Sequence, residues 1–164
     1  MKTHHLCPVY RKWLQLNPMI ARAHRSALQN QTQQAHIKGD TQEAKRLGYQ
    51  TFEAAKVIIT ALQPVLPDRV KPIHEDILAF GTMGMYLATL LIKNDEIKEA
   101  HRVLQESQQQ LLAILPLHAT TPTVCRLIAT LQQSLETGSQ HLLSKKRQGQ
   151  LPSICPQLAS ANVH

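Results

Sequence analysis

A chain of 164 residues is long enough to bury one hydrophobic core and too short for a second full domain. Six glycines, few aromatic residues and an abundance of Leu, Ala and Gln disfavour a β-sandwich or barrel, which needs short strands rich in β-branched and aromatic residues. The formal charge of +7 is gathered at the ends: residues 1–39 hold Lys2, Arg11, Lys12, Arg22, Arg25 and Lys38 without an acid, residues 137–164 hold Lys145, Lys146 and Arg147 without one, and the stretch between is slightly acidic.

The first residues, Met-Lys-Thr-His-His-Leu-Cys-Pro, lack the apolar run of a secretory signal. Cys7, Cys125 and Cys155 are odd in number and widely spaced, which fits a reducing compartment, so a cytoplasmic location is expected. Pro8 suits the first position of a short helix to Leu16, with Val9, Trp13 and Leu16 on one side. Asn17 and Pro18 form a cap and first position for a long helix whose stripe of Ile20, Ala23, Ala27, Leu28 and Ala35 runs to Gly39. A second long helix opens at Asp40 or Thr41, where Glu43 completes a capping-box pattern, and runs through Ala44, Leu47, Thr51, Ala55, Ile58 and Leu62 to Pro64 and Pro67.

Arg69 to Ile73 leads into a third long helix that is apolar nearly all round, which predicts a central position. Its longest apolar run, Ala79 to Ile92, falls short of the roughly 20 residues that span a bilayer, so a buried helix and no membrane contact are expected. Gly81, Gly84 and Ala88 share one side of it, where another backbone can approach closely, and a homodimer through this face is one consequence. A fourth helix is expected from Asp95 to Leu115, with Ile97, Ala100, Leu104, Leu111 and Ile114 inward. A fifth starts at Thr121 and Pro122. The periodicity fades after Ser144, giving one helical domain over 1–144 and a basic, partly disordered tail over 145–164. The fold class is therefore all-α, with antiparallel helical hairpins stacked as a bundle of about five main helices.

One segment occurs almost twice. Ile37-Lys-Gly-Asp-Thr-Gln-Glu-Ala-Lys-Arg and Ile92-Lys-Asn-Asp-Glu-Ile-Lys-Glu-Ala-His-Arg each pair a residue tolerant of left-handed backbone, Gly39 or Asn94, with a capping acid, Asp40 or Asp95. The doubled joint resembles a tetratricopeptide-type repeat. Ala44 and Ala100 stand where that family has its packing alanine, Gly39 and Asn94 or Asp95 at its turn, and Leu28 and Leu87-Ala88 in its first helix. The family repeats about every 34 residues. Here Ile37 and Ile92 are 55 apart and Ala44 and Ala100 are 56 apart, and the family's aromatic positions fall on Gly48, Leu104, Thr41 and Glu96. The resemblance implies a short array of long hairpins that binds a protein or peptide.

No catalytic, metal or cofactor signature is present, so a non-enzymatic protein is expected. No Glu has a His three residues later, as a di-metal carboxylate bundle requires, and there is no Gly-rich phosphate loop, HExxH or Cys-x-x-Cys. His4, His5 and Cys7 lack a fourth ligand at defined spacing. His74, Glu75 and Asp76 read as first-turn residues that complement a helix dipole.

Tyr10, Arg11, Lys12 and Trp13, followed by Arg22 and Arg25, interleave aromatic and cationic groups. With Gln33 on the Gln-rich surface, they form the predicted partner-binding segment. The expected function is a protein–protein interaction module, an adaptor, regulator or chaperone of another chain; the alternative is a basic nucleic-acid-binding regulator using the two cationic ends.

Overall fold

The structure is a computed structural model that describes residues 6–61 and 70–148. All regular structure among them is helical: α1 (Pro8–Leu16), α2 (Pro18–Ile37), α3 (Thr41–Ala61), α4 (Val70–Lys93), α5 (Ile97–Ile114), a 3₁₀ turn over Leu115–His118, and α6 (Pro122–Gln148). Pro8, Pro18 and Pro122 each begin a helix, where a missing N–H leaves no bond unmade. α6 continues through Lys145 to Gln148, four residues past the expected boundary.

The two joints are the same backbone device. At the first, the N–H of Asp40 donates to Ala35 O at 3.0 Å and that of Gly39 to His36 O at 3.0 Å, with Gly39 at φ +75°. At the second, Glu96 N–H donates to Leu91 O at 2.8 Å and Asp95 N–H to Ile92 O at 3.0 Å, with Asp95 at φ +62°. Both are paired 6→1 and 5→2 closures of a helix end. Every equivalent atom is therefore 56 residues apart, and the sequence reading that set Gly39 against Asn94 is one residue out of register. The left-handed position falls on Asp95, and this changes the capping. Asp40 accepts from the Glu43 N–H at 3.1 Å as expected. Asp95 is occupied by the turn, and Glu96, at the N-cap of α5, makes no side-chain cap bond.

Two further caps differ from expectation. Asn17 donates from Nδ2 to Trp13 O at 3.0 Å, closing the end of α1 instead of opening α2. The Glu43 carboxylate accepts from Arg46 Nε at 2.8 Å.

The core has two apolar clusters. The larger joins α3 to α4, α5 and α6 through Phe52, Phe80, Leu87, Leu91, Leu111, Ile128 and Leu135, all nearly inaccessible, with Phe52 and Phe80 stacked at 5.1 Å between centroids. The smaller holds Leu14, Ala21, Leu28, Ala44, Leu47, Val57 and Ile58 from α1 to α3, with Leu90. α4 lies among α3, α5 and α6, as its apolar character predicts, and by length and composition Lys71–Lys93 reaches what a bilayer span requires, more than the sequence reading allowed. α3 shares the centre: it packs on α1, α2, α4 and α5 and buries Glu53 and Thr51 along with its apolar stripe.

The close approach at the α4 glycines is made within the chain. A Cβ at Gly81 would lie 2.8 Å from both methyls of Leu131 on α6, and one at Gly84 would collide with Ser107 Oγ on α5. Ala88 is buried beside them. This corrects the expectation of a homodimer through Gly81, Gly84 and Ala88, because α5 and α6 already occupy that face.

Candidate interaction surface

The sequence reading grouped Val9, Trp13 and Leu16 on one side of α1, and the structure turns that side to solvent. Val9, Trp13 and Leu16 face water, Val9 and Leu16 at 77% and 70% exposure, while Leu14 and Tyr10 pack inward with Leu6. Both sets recur at helical spacing, so periodicity alone does not choose between them. The same holds on α2, where Met19, Ile20, Ala23 and Ala27 are exposed and the buried stripe is Ala21, Leu28, Thr32 and Ala35. The outcome is a patch of large apolar side chains around the α1–α2 joint. Singly exposed apolar residues are ordinary, whereas a contiguous group at one end of a molecule marks a contact surface.

Trp13 is the fixed point of this patch. Its ring stacks on Tyr10 at 5.8 Å and meets the edge of His24 at 6.3 Å, and Tyr10 meets His24 at 5.4 Å. Ile20 stands one turn before His24 on the same side of α2, which joins it to the Trp13 face. Tyr10 has its hydroxyl buried without a hydrogen-bond partner among the described residues, and burial pushes its phenol above the ordinary range.

The arginines expected to meet an anionic partner are engaged inside the chain. Asp76 on α4 is 4% exposed and accepts a hydrogen bond from Arg22 Nε at 2.9 Å, with Arg22 Nη2 in ion-pair contact at 2.9 Å and Arg25 Nη2 4.0 Å away. Removal from water holds the Asp76 carboxyl above its ordinary value despite these two guanidiniums. Because α4 begins at Val70, Asp76 is past the first turn, and its role is to receive Arg22 and Arg25 instead of complementing the helix dipole. Of its sequence neighbours, Glu75 is exposed and 4.0 Å from Lys71. Arg11 lies 4.0 Å from the buried Glu53, which also pairs with Lys56 at 2.9 Å. Lys12 is exposed and makes no ion pair among the described residues, and Gln33 is exposed on α2, away from the aromatic group. The structure thus exposes Lys12 and Trp13, packs Tyr10 inward beside Trp13, sets Arg11 near Glu53, turns Arg22 and Arg25 toward Asp76, and leaves Gln33 exposed further along α2.

A polar ladder joins α3 to α5. Lys45 donates to both Glu96 oxygens at 2.7 and 2.6 Å, the Tyr49 hydroxyl to Glu99 at 3.3 Å, and Lys56 pairs with Glu106. The order of these contacts shows that α3 and α5 run in the same direction. Burial and the Glu99 charge push the Tyr49 phenol up to about 12.

A groove of about 920 Å³ lies at the α4–α5 joint, walled by Ile92, Ile97, Leu142 and Leu143 and rimmed by Asp95, Glu99, Lys98 and Lys145. None of its walls comes from α1 or α2. Its rim carries both signs of charge. Among the described residues no three His, Cys, Asp or Glu side chains gather as metal ligands. No protein-family model, curated protein or solved structure matches the chain.

Of the residues that the sequence reading assigned to a partner, Trp13 is exposed and Tyr10 packs inward, while Val9, Leu16, Met19 and Ile20 are exposed without having been assigned. The signal that separates them is the second stripe, Leu6, Tyr10 and Leu14, which competes for the inward side of α1.

Proposed function

We propose that this protein is a non-enzymatic interaction module, an adaptor, regulator or chaperone of another protein, built as two long helical hairpins, α2–α3 and α4–α5, in a short tetratricopeptide-like array and working in the cytoplasm. The equal 56-residue offset of both joints and the common direction of α3 and α5 support the repeated-hairpin arrangement. The observation that carries the functional reading is the exposed face of Val9, Trp13, Leu16 and Ile20, anchored by a preorganised aromatic group. Contact surfaces are enriched in Trp and Met, and Trp13 and Met19 are both exposed here. The nucleic-acid reading loses support at the N-terminal end, because Arg11, Arg22 and Arg25 neighbour buried carboxylates.

Affinity purification from the native cell with nuclease treatment tests the reading. A protein retained in near-equal amount is expected. Capture of nucleic acid alone, with affinity falling steeply as salt rises, would replace it with the alternative.

A further inference from the structure

We infer that the α2–α3 surface beneath α1 is a seat for an amphipathic helix of another protein with α1's own pattern, and that α1 is a releasable strap filling that seat in the free chain. This rests on the interaction-module reading above and adds the seat, the chemistry of its occupant and the segment that guards it. Three observations lead to it.

α1 is joined to the body without a hydrogen bond. Among the described residues its bonds are local: Arg11 N–H donates to Cys7 O at 2.9 Å, and Asn17 Nδ2 donates to Trp13 O at 3.0 Å. The longer helices are cross-linked, α2 to α3 by the Thr32 and Thr51 hydroxyls at 3.2 Å, α2 to α4 by Arg22 and Asp76 at 2.9 Å, and α5 to α6 by Gln132 Nε2 and Gln108 O at 2.8 Å. Asn17 closes α1 and Pro18 opens α2, so the chain turns there and α1 swings away with no helix bond broken. A segment held this way belongs to the low-stability end of a molecule.

The seat is apolar beside one buried carboxylate, and α1 matches it incompletely. Leu6, Tyr10 and Leu14, four residues apart, pack in one cluster with Ala21 of α2 and Ala54, Val57 and Ile58 of α3. Glu53 is 6% exposed, and Arg11 Nη2 stops 4.0 Å from its Oε2, beyond hydrogen-bond reach. The Tyr10 hydroxyl and Arg11 Nε are buried without a partner among the described residues, and Glu53 Oε2, 2.9 Å from Lys56 Nζ, accepts no aligned hydrogen bond there. Buried polar atoms in this state carry an uncompensated desolvation cost, which offsets part of what the apolar contacts of α1 contribute.

These mismatches define the helix that displaces α1. It carries apolar residues at i, i+4 and i+8, as α1 does, with a ring lacking the hydroxyl at the middle position and a Lys or Arg next to it that reaches Glu53 at hydrogen-bond distance. A second copy of this chain brings the same α1 with the same unmatched atoms and has no advantage over the resident one. α1 has nine residues, fewer than the roughly 12 at which a helix stands alone, so displacement also unwinds it.

Hydrogen exchange on the full chain reads the strap. Amides of α1 are expected to exchange about a hundredfold faster than those in the middle of α2. Tyr10→Phe, which deletes the unmatched hydroxyl, is expected to slow α1 exchange about fivefold. The seat is probed by fluorescence anisotropy with two labelled peptides of residues 6–17 carrying Tyr10→Phe, one keeping Arg11 and one with Arg11→Glu. A Leu14→Asp chain, from which α1 is ejected, is expected to bind the first peptide about tenfold more tightly than wild type, whose tethered α1 competes at high effective concentration. It is expected to bind the Arg11→Glu peptide about tenfold more weakly than the first, because a second carboxylate then meets Glu53.

Exchange of α1 at the rate of α2, faster α1 exchange in Tyr10→Phe, or equal binding of the two peptides overturns the inference. Should Leu14→Asp fail to fold, the exchange of wild type and Tyr10→Phe decides alone. A wild-type dimer in sedimentation whose α1 exchange slows with concentration assigns the seat to a second copy and overturns the foreign helix. In the native purification, a protein partner held equally by wild type and Leu14→Asp overturns this inference while the module reading stands. No protein partner for either chain, with the peptides binding as expected, overturns the module reading alone.

Discussion

The two ends of the molecule are finished differently. α6, packed on α4 and α5, turns Arg126, Thr130, Gln133, Thr137 and Gln140 to water, and its exposed large apolar residue is Leu143 in the wall of the groove. α1, packed on α2 and α3, turns Val9, Trp13 and Leu16 outward. The interiors differ as well. The α4–α6 side is closed by backbone approach at Gly81 and Gly84 and by large apolar side chains, whereas the α1–α2 side places Arg22, Arg25 and Arg11 against the buried Asp76 and Glu53. The C-terminal side is closed by this chain's own helices, whereas the N-terminal side combines a smaller apolar cluster with ion pairs and, among the described residues, leaves Val9, Trp13 and Leu16 uncovered.

The largest way to test this contrast is to fill the close approach. Gly84→Leu, which drives a side chain into Ser107 and Phe52, is expected to cost about 3 kcal/mol or more. Ala27→Leu on the exposed side of α2 is expected to change stability by less than about 0.5 kcal/mol. Urea denaturation of the two variants checks the pair, and equal losses would erase the difference between the faces.

Next in size is the charge pair that ties α2 to α4. Asp76→Ala leaves Arg22 and Arg25 facing one another without a carboxylate and is expected to cost about 2 kcal/mol, below the usual figure for a fully buried pair because both arginines retain some exposure. Hydrogen exchange should quicken in α1 and α2 before α5 and α6. Uniform quickening would show that the two ends open as one unit.

A smaller effect is pH-dependent and belongs to the C-terminal side. His118, in the 3₁₀ turn before α6, is 1% exposed with neither ring nitrogen hydrogen-bonded among the described residues, and burial holds its pKa below the ordinary 6.5. The unfolded chain therefore binds the proton more readily than the folded one. Stability from this group is present above pH 6.5 and declines as pH falls from there toward the folded value. Asp76, whose carboxyl is raised, acts with the opposite sign: the folded state takes up its proton first, so acidification through the range above 3.8 favours folding. His118→Leu is expected to flatten the decline just below pH 6.5, measured by melting temperature across pH. An unchanged slope would remove His118 as its source.

The smallest effect separates the two joints. Gly39 holds φ +75° without strain, whereas Asp95 holds φ +62° with a side chain. Asp95→Gly is expected to stabilise by about 0.5–1 kcal/mol, since a left-handed backbone is costly for a residue with a Cβ. Gly39→Ala, with nothing near its added Cβ, should lose about 1 kcal/mol from backbone conformation alone. Thermal melts of the two variants should move in opposite directions.

Much of the helical framework was legible in the residues. Pro8, Pro18 and Pro122 mark helix starts, Gly39 marks a stop, and Phe80, Leu87 and Leu91 mark a central helix, because these signals act within a few residues and need no partner. The candidate surface was less legible. Val9, Trp13 and Leu16 form as good a stripe as Leu6, Tyr10 and Leu14, and only the shape of the α2–α3 surface decides which enters the core. Arg22 and Arg25 looked like free cations because Asp76 is about fifty residues away in the chain and adjacent only after α4 packs. The doubled segment read one residue out of register, since Ile-Lys-x-Asp matches by letters while the backbone places Gly39 opposite Asp95.

By itself the sequence determined the all-helical class, the helix limits set by proline and glycine, and the presence of two turns of one kind. These follow from backbone sterics and local hydrogen bonding, which are written at short range. The tertiary structure decided which stripe of α1 is buried, where the N-terminal arginines place their charge, and that the α4 glycines receive this chain's own α5 and α6. Those outcomes depend on desolvation and packing between distant segments, and only the assembled helices supply the partners.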